Sequence, residues 1–391
     1  MDRPLLVAVL LICAFGIVMV FSSSAVLAQK QLHDAAYFLA RQGIYCSAGL
    51  LVMLIVSRID YRIFQKSFIV WSLLGLSFLG VLACKSPIGL TLNGASRWIG
   101  LGPITVQPAA ALKVCLVLWL SYSLNKKALK IKSFSIGFLP HLIIPGLLMA
   151  ACMLQPDFGT TVVMAVLTFS LLFIAGAKLG YILLAGVVSA PIVYFIITGS
   201  SYRLARIMSF LDPLATRFGT GYQLSQSLFG YAAGGVTGRG LGDGLHKFLY
   251  LPEAHNDFIG AIIGEELGMI GIWALLLVYA FIVGRGFRIG LRAQEPFGML
   301  VAVGISVLMA LQVLMNLAVS MGLLPTKGLN LPFVSYGGSA LMIAMAAVGI
   351  LLSISRGTRI VENSGAPPEN GSRNRGNVRS ERTSAREGTD E

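Results

Sequence analysis

Ten long apolar segments alternate with short polar stretches along the chain. An apolar helix needs about 17 to 25 residues to cross the roughly 30 Å hydrocarbon core of a bilayer. The segments lie at residues 5–24, 42–58, 67–84, 107–124, 137–153, 159–176, 178–198, 258–284, 297–321 and 336–355. They predict an all-α polytopic membrane protein with about ten transmembrane helices and a large extracytoplasmic loop between the seventh and the eighth.

Positive charges are distributed unevenly between the short loops. If the segments cross in alternate directions, the loops on the side of the termini hold eleven Lys and Arg residues, and those on the other side hold five. Because cytoplasmic loops carry the excess of Lys and Arg, both termini are predicted to be cytoplasmic. The long loop at about 199–257 is not counted, since long loops are translocated largely regardless of charge, and it is predicted to lie outside the cell.

Composition agrees with a multi-pass protein of the cytoplasmic (inner) membrane, in contact with lipid. Of the 391 residues, 56% are hydrophobic and 12% are charged, and the mean hydropathy is +0.79, which excludes an ordinary soluble domain. The five cysteines fall in or beside apolar segments, so they are predicted to pack rather than to form disulfides. Residues 5–24 are interpreted as a retained helix rather than a signal peptide.

Residues 1–360 form the predicted transmembrane domain, and residues 361–391 differ from it sharply. This last segment has almost no apolar residues and is rich in Ser, Gly, Asn, Arg and Glu, which predicts a disordered cytoplasmic tail. Its arginines lie among acidic residues, so a solvated tail is favoured over a patch that binds nucleic acid.

Acidic residues are concentrated at residues 251–268, where the polar sequence LPEAHNDF continues directly into an apolar segment. Asp257 falls at the predicted boundary between water and hydrocarbon, and Glu265 and Glu266 fall deeper. A charge at the centre of a bilayer costs about 2.5 to 3.5 kcal/mol, so such residues need a partner, a water-filled cavity or a proton. They are candidates for a functional site. The alternative is that Asp257 caps a helix and the two glutamates pack within it.

Two of the predicted outer loops combine glycines with cations. One contains NGASRWIGLG, and the other is the long loop at about 199–257. Glycine allows backbone amides to approach an anionic ligand closely, so a phosphate site is one interpretation. The other is that the glycines only form turns in exposed loops, because glycine spacing without a flanking strand is a weak signal.

Ordered motifs in these segments resemble the FtsW/RodA family, also known as the SEDS proteins of shape, elongation, division and sporulation. The resemblance spans about residues 5–355, and the forms NGASRW and GLLPTKG are most similar to the division-type FtsW branch. The motifs are NGASRWI at 93–99, QPAAALK at 107–113, QPDFGT at 155–160, YRLARIMSFLDP at 202–213, GYQLSQS at 221–227, LPEAHNDF at 251–258, GEELG at 264–268 and GLLPTKGLNLPFVSYGGS at 322–339.

The resemblance implies a peptidoglycan glycosyltransferase that polymerises lipid II into glycan strands during septal cell-wall synthesis. Asp257 matches the family's catalytic aspartate and is expected to act as the general base. The cations expected to face the pyrophosphate of the substrate are Arg97, Arg203, Arg206, Lys247 and Arg239, of which the first four lie in family-like motifs. Each of them taken alone could equally be a solvated loop charge or a lipid-headgroup contact.

Other residues in the motifs have two interpretations each. Trp98 could line the substrate cavity or anchor the chain at the membrane interface. His255 could assist proton transfer near Asp257, or it could be a hydrogen-bonded loop histidine. Gln223 and Ser335 could contact the substrate, whereas the neighbouring Pro and Gly residues are expected to shape a broken segment before the last helix.

No His or Cys cluster has the spacing of metal ligands, so no protein-bound metal is predicted. The pyrophosphate leaves room for a divalent cation, Mg²⁺ or Mn²⁺, that arrives with the substrate. The family also implies two kinds of protein partner, a class B penicillin-binding protein transpeptidase and accessory divisome proteins.

One position departs from the family pattern. The family's QPSE-type motif carries Glu where this chain has Ala110, three residues before Lys113 and on the same helical face. Lys113 thus lacks its usual partner, although it remains a candidate substrate ligand. Either Asp157 or Glu265 pairs with it instead, or Lys113 is neutral or faces water; the prediction is that one of the two acids lies close enough to pair. Glu265 is also predicted to share a cavity with Asp257, since eight residues on a continuous helix separate the two by about 80°.

Two other classes of function fit parts of the pattern. A flippase for lipid-linked precursors would also need a polar path through ten helices, although no inverted repeat is evident. A non-catalytic divisome scaffold would need neither Asp257 nor the basic loops.

Overall fold

The computed structural model describes residues 1–92, 95–102, 104–248 and 250–364. The predicted tail therefore lies almost wholly outside the described residues, as do Asn93 and Gly94 of the first motif. Twelve α-helices occupy the described part of the chain. They are α1 (Arg3–Leu32), α2 (Tyr37–Arg58), α3 (Ser67–Ala83), α4 (Pro108–Lys126), α5 (Pro140–Leu154), α6 (Phe158–Ile174), α7 (Leu179–Thr198), α8 (Ser201–Leu211), α9 (Tyr222–Gly234), α10 (Ile259–Leu291), α11 (Pro296–Ser320) and α12 (Gly338–Ser364).

The ten predicted segments coincide with α1 to α7 and α10 to α12, which confirms the predicted fold class. Within the described chain, eight helices are long and apolar enough to cross a membrane, if α5 is counted together with the turn at Phe134–Phe138. The other two, α3 and α6, are apolar and have 17 residues each. The long loop is itself structured, since it contains α8 and α9. All five cysteines are free, as predicted.

Polar contacts join the helix ends on the side of the chain termini. Asp2 caps α1 by accepting a hydrogen bond from the Leu5 backbone N–H at 3.0 Å, and its carboxylate also pairs with Arg285 on α10. Arg62, between α2 and α3, pairs with Glu295 at 2.9 Å. These contacts fix one end of the helix bundle and leave the other end for the long loop.

The interior of the bundle is built around α4 and α11. Leu112, Leu116, Val117 and Leu120 on α4 are fully buried, and α11 is buried along most of its length. In contrast, α7 has no buried residue and lies at the periphery. The helices that carry the most polar motifs therefore surround the best-packed part of the protein.

A small antiparallel sheet, absent from the sequence prediction, precedes α4. It consists of β1 (Gly89–Leu92), β2 (Ala95–Leu101) and β3 (Ile104–Val106), in the order β1-β2-β3. Trp98 lies opposite Leu90, and Ile99 lies opposite Val106. The sheet gives Arg97 and Trp98 fixed positions on a strand rather than on an irregular loop.

Helix α10 is broken at Gly268, whose φ of 66° and ψ of −165° are not helical. The segment after α9 fills the break. The backbone N–H groups of Met269 and Ile270 donate to Gly235 and Val236 at 3.0 and 3.2 Å. In return, the N–H groups of residues 239 and 240 donate to the carbonyls of residues 265 and 266, both at 3.0 Å. The interruption therefore leaves these backbone groups paired, as hydrocarbon requires.

Replacing Gly268 by Ala is expected to destabilise the protein. A Cβ there would lie 2.3 Å from the Gly238 backbone nitrogen, and the positive φ would add strain. Such backbone strain alone costs about 1 to 3 kcal/mol. Gly284→Ala is the matched control on the same helix, because a Cβ at position 284 meets no atom within 4 Å. Thermal unfolding of both purified variants measures the difference, and equal stability would contradict this view of the break.

Candidate active site

Asp257 lies just before α10, in a segment held by backbone contacts. The Asp257 carbonyl accepts a hydrogen bond from the Asn316 side-chain amide at 2.9 Å. The preceding carbonyl, of Asn256, accepts one from the Ser335 hydroxyl at 2.7 Å. One residue earlier, the His255 carbonyl accepts from the Tyr336 N–H at 2.9 Å. These contacts fix three successive carbonyls and hence the position of the Asp257 side chain.

The Asp257 carboxylate and the Arg97 guanidinium both lie beside Gly328. A Cβ built on Gly328 would lie 2.9 Å from Asp257 Oδ2 and 3.2 Å from Arg97 Nη1, so a side chain at position 328 would displace the Asp257 carboxylate. Burial, followed by the charge of Glu253, raises the pKa of Asp257 to about 7, while Arg97 and Arg206 act in the opposite direction. A carboxyl group with that pKa can accept a proton near neutral pH.

Arg97 is positioned by the loop before α6. Its Nη2 donates to the Pro156 carbonyl at 2.7 Å and lies 4.0 Å from Asp157 Oδ1. Asp157 caps α6, because its carboxylate accepts hydrogen bonds from the N–H and the hydroxyl of Thr160 at 3.2 and 2.7 Å. Successive side chains on a strand point to opposite faces, so Trp98 is directed away from Arg97.

Two further arginines come from α8. Arg206 donates to the Thr326 carbonyl at 2.7 Å, and its guanidinium lies 4.6 Å from the centre of the Tyr202 ring. Arg203 donates to the Ile196 carbonyl at 2.7 Å. Both guanidinium groups are therefore oriented by neutral carbonyl oxygens, and neither forms an ion pair with a carboxylate of the described residues.

These arginines line a cavity of about 400 Å³ between α6, the end of α7, α8 and the loop before α12. Arg97, Arg203 and Arg206 were predicted from the sequence, whereas Lys327 was missed, although it lies in the GLLPTKG motif. The Lys327 ammonium group lies 5.0 Å from the centre of the Phe158 ring. Asp257 is not among the lining residues, but its carboxylate lies beside Gly328, which lines the cavity.

Other predicted site residues support the loops around Asp257. Gln223, at the start of α9, donates to the Pro252 carbonyl at 3.1 Å. Ser335 is buried and accepts a hydrogen bond from the Leu331 N–H at 2.8 Å in addition to its contact with Asn256. The buried His255 ring lies 4.8 Å from that of Phe38, and burial lowers the pKa of this histidine. Their assignment as substrate ligands stays a prediction.

Glu265, Glu266 and Lys247 form a separate polar cluster beside the break in α10. The Glu266 carboxylate lies 3.0 Å from Lys247 Nζ and accepts the Ser22 hydroxyl of α1 at 2.6 Å. The Glu265 carboxylate accepts the N–H groups of residues 245 and 246 at 2.7 and 3.1 Å, and lies 4.0 Å from Arg239. Both glutamates are fully buried and bound to the segment between α9 and α10. Neither they nor Lys247 line the cavity of the arginines.

The predicted ion pair of Lys113 is not formed. The charge of Asp157 interacts with the Lys113 ammonium group. Neither Asp157 nor Glu265, however, lies within ion-pair distance of that group. Asp157 is already engaged as the cap of α6, and Glu265 belongs to the separate cluster. The expectation that Glu265 faces the same cavity as Asp257 assumed that both residues lie on one continuous helix. That assumption is wrong, because α10 begins only at Ile259.

Within the described residues, no group of three or more His, Cys, Asp or Glu side chains could hold a metal ion. Two carboxylates, Asp157 and Asp257, lie near the arginines. Asp157 is engaged by Thr160, so the site offers few free oxygen ligands of its own. Such a set fits only a cation that brings most of its oxygen ligands with it.

Comparison with known proteins gives concordant matches. A family model described as cell cycle protein, FtsW/RodA/SpoVE, matches residues 3–360. A probable peptidoglycan glycosyltransferase FtsW from Geobacter sulfurreducens is 46% identical over 351 residues, covering 90% of this chain and 94% of the relative. Stage V sporulation protein E from Bacillus subtilis is 38% identical over 361 residues, covering 92% and 98%. A solved chain described under "Structural coordination of polymerization and crosslinking by a peptidoglycan synthase complex" superposes with a TM-score of 0.76 at 26% identity, covering 91% and 98%.

The polar cluster at the break in α10 gives a test of its own. Lys247→Met is expected to destabilise the protein, because Glu266 would remain buried without its cation, a loss of about 3 to 5 kcal/mol for buried pairs. Glu266→Gln added to Lys247→Met should restore much of that loss. Thermal unfolding of the two single variants and the double variant measures the coupling. Additive losses would mean that the two side chains do not act as a pair.

Proposed function

The chain belongs to the FtsW/RodA/SpoVE family of cell cycle proteins, and we propose that it is a peptidoglycan glycosyltransferase that polymerises lipid II. The observation that carries the proposal is that the Asp257 carboxylate and Arg97 both lie beside Gly328, at a basic cavity that Arg97 and Gly328 line. The relatives named FtsW favour septal synthesis during cell division, in agreement with the division-type motifs.

The cavity has the chemistry that a lipid-linked pyrophosphate needs. Arg97, Arg203, Arg206 and Lys327 supply positive charge, and arginine forks match phosphate oxygens well. Its other walls include Tyr202 and several apolar groups, and α7 beside it contains no buried residue. An anionic headgroup could bind the arginines while its hydrocarbon chain lies along α7 in the bilayer.

Glycosyl transfer joins an acceptor sugar hydroxyl to the anomeric carbon of the donor as the pyrophosphate leaves. Asp257 accepts the proton of the attacking hydroxyl, and its pKa of about 7 suits that role. The arginines stabilise the negative charge that develops on the leaving pyrophosphate. Gly328 lets Asp257 and Arg97 approach one point, so the base and a leaving-group cation act on the same substrate.

A divalent cation, Mg²⁺ or Mn²⁺, is proposed only as an ion that binds together with the pyrophosphate of the substrate. The protein near the cavity offers Asp257 and the engaged Asp157, so the phosphate oxygens would supply most of the ligands. Its contribution when bound would be to neutralise charge on the leaving group.

The proposed setting is the cytoplasmic membrane, with both termini in the cytoplasm and the cavity facing outside, as the loop charges predict. A class B penicillin-binding protein transpeptidase is the proposed partner, since the structural relative belongs to a peptidoglycan synthase complex. Accessory division proteins would complete the assembly.

Asp257→Asn is expected to abolish polymerisation while leaving insertion and folding intact. The change preserves size but removes the base, and loss of a general base lowers rates by about 10² to 10⁴. The measurement is polymer formation from labelled lipid II by the purified protein with its cognate transpeptidase.

Asp34→Asn is the control, because Asp34 is an exposed acid in the loop between α1 and α2, at the same end of the bundle. Wild-type rates for the Asp257 variant would overturn its assignment as base. Lipid translocation without polymer by the native protein would favour a flippase instead, and neither activity would favour a scaffold.

The pH dependence should report the same carboxyl group. Because the base must be ionised, kcat/KM is expected to rise with pH through about 7. Arg97→Gln removes a charge that lowers the pKa of Asp257, so the rise should move to higher pH. Glu253→Gln removes a charge that raises this pKa, so the rise should move to lower pH. Opposite shifts support the assignment, and an unmoved profile in both variants would assign the rise to another group.

A further inference from the structure

Lys113 on α4 is a buried cation without an ion-pair partner among the described residues. The residue is only 7% exposed. Among the residues that the structure describes, its ammonium group forms no hydrogen bond and no ion pair. Asp157, the acid whose charge acts on Lys113, is already engaged by Thr160 as the cap of α6. A charged group removed from water is strongly unfavourable unless an opposite charge lies beside it.

A narrow cavity of about 60 Å³ lies beside this lysine and is lined by both Ala110 and Lys113. The two residues are three positions apart on α4 and therefore share a face. The methyl group of Ala110 leaves space that a longer side chain would fill. By volume the cavity holds roughly four waters, so it has room for an ion of the size of chloride.

Neutral hydrogen-bond donors face the same space. The side chains of Gln107 and Asn330 also line the cavity. Asn330 uses one amide hydrogen for the Tyr336 carbonyl at 3.0 Å, which leaves the second one free to donate. One cation with uncharged amide donors is a suitable set for a small anion.

We propose that this cavity binds one small monovalent anion, of the size of chloride, against the ammonium group of Lys113. The anion occupies the space beside the methyl group of Ala110, where a carboxylate side chain would otherwise reach Lys113. Binding neutralises the buried lysine and joins α4 to the loop before α12, which contributes Asn330. The site is distinct from the cavity of the arginines and does not depend on the proposed transferase activity.

Anion-dependent stability tests the site. The purified full-length protein is unfolded thermally in sodium chloride, bromide or gluconate at equal ionic strength. Chloride and bromide should raise the unfolding temperature over gluconate in a saturable manner, because only a ligand of the folded state stabilises in this way. Ala110→Glu should abolish the difference between the salts, since its carboxylate fills the space and neutralises Lys113. Lys126→Met, an exposed lysine on the same helix, should retain the difference.

Direct localisation completes the experiment. Crystals grown in bromide should show an anomalous peak beside Lys113 Nζ, absent from Ala110→Glu. Lys113→Met should also lose both the peak and the salt dependence. If that variant does not fold, Ala110→Glu and the bromide peak decide. Equal stability of the native protein in the three salts, an unchanged halide effect in Ala110→Glu, or bromide bound only at other positions would each overturn the proposal.

Discussion

Charged and polar groups that the fold removes from water must find their partners within the protein, and this constraint organises the structure. Glu265 and Glu266 lie deep in α10, where carboxylates are costly, and both are neutralised by the segment between α9 and α10. That segment also pairs the backbone groups set free at Gly268. The segment between α9 and α10 therefore pairs with both glutamate side chains and with the free backbone groups of the broken helix. These two sets of contacts fix its position.

The same constraint shapes the candidate active site in a different way. Asp257 is positioned through its backbone, by Asn316 and by the hydrogen bonds of the neighbouring carbonyls, so its carboxylate is not engaged in holding the loop. Burial and Glu253 then oppose Arg97 and Arg206, and the balance gives a pKa of about 7. A carboxylate fully paired with one arginine would remain ionised and would be a poor proton acceptor. The arginines bind backbone carbonyls instead, and they stay available for an anionic ligand.

Hydropathy was sufficient to predict the ten helices, because segment length and composition are local properties. The motifs also identified Arg97, Arg203 and Arg206, which line one cavity. Contacts between residues far apart in the sequence could not be predicted. Ser22 and Glu266 are 244 positions apart, and no local pattern marks their contact. The helical extrapolation from Asp257 to Glu265 was wrong, because α10 begins two residues after Asp257. Lys327 was not predicted as a site residue, although its motif was recognised. Nothing in the sequence around a single loop lysine indicates that it lies beside the Phe158 ring.

Helix α7 shows the same constraint from the opposite side. Residues Leu179–Thr198 contain no charged side chain and none of them is buried, so lipid covers most of the surface of the helix. The helix contacts the bundle near its two ends, where Tyr181 packs against the rings of Phe134 and Phe138 and the Ile196 carbonyl accepts a hydrogen bond from Arg203. Apolar helices gain no hydrophobic stabilisation from association within a bilayer. The end of α7 nevertheless contributes Ile197 to the wall of the arginine cavity. The proposed substrate site is thus rigid where α6 and the sheet position Arg97, and it is open to the bilayer where α7 forms its boundary.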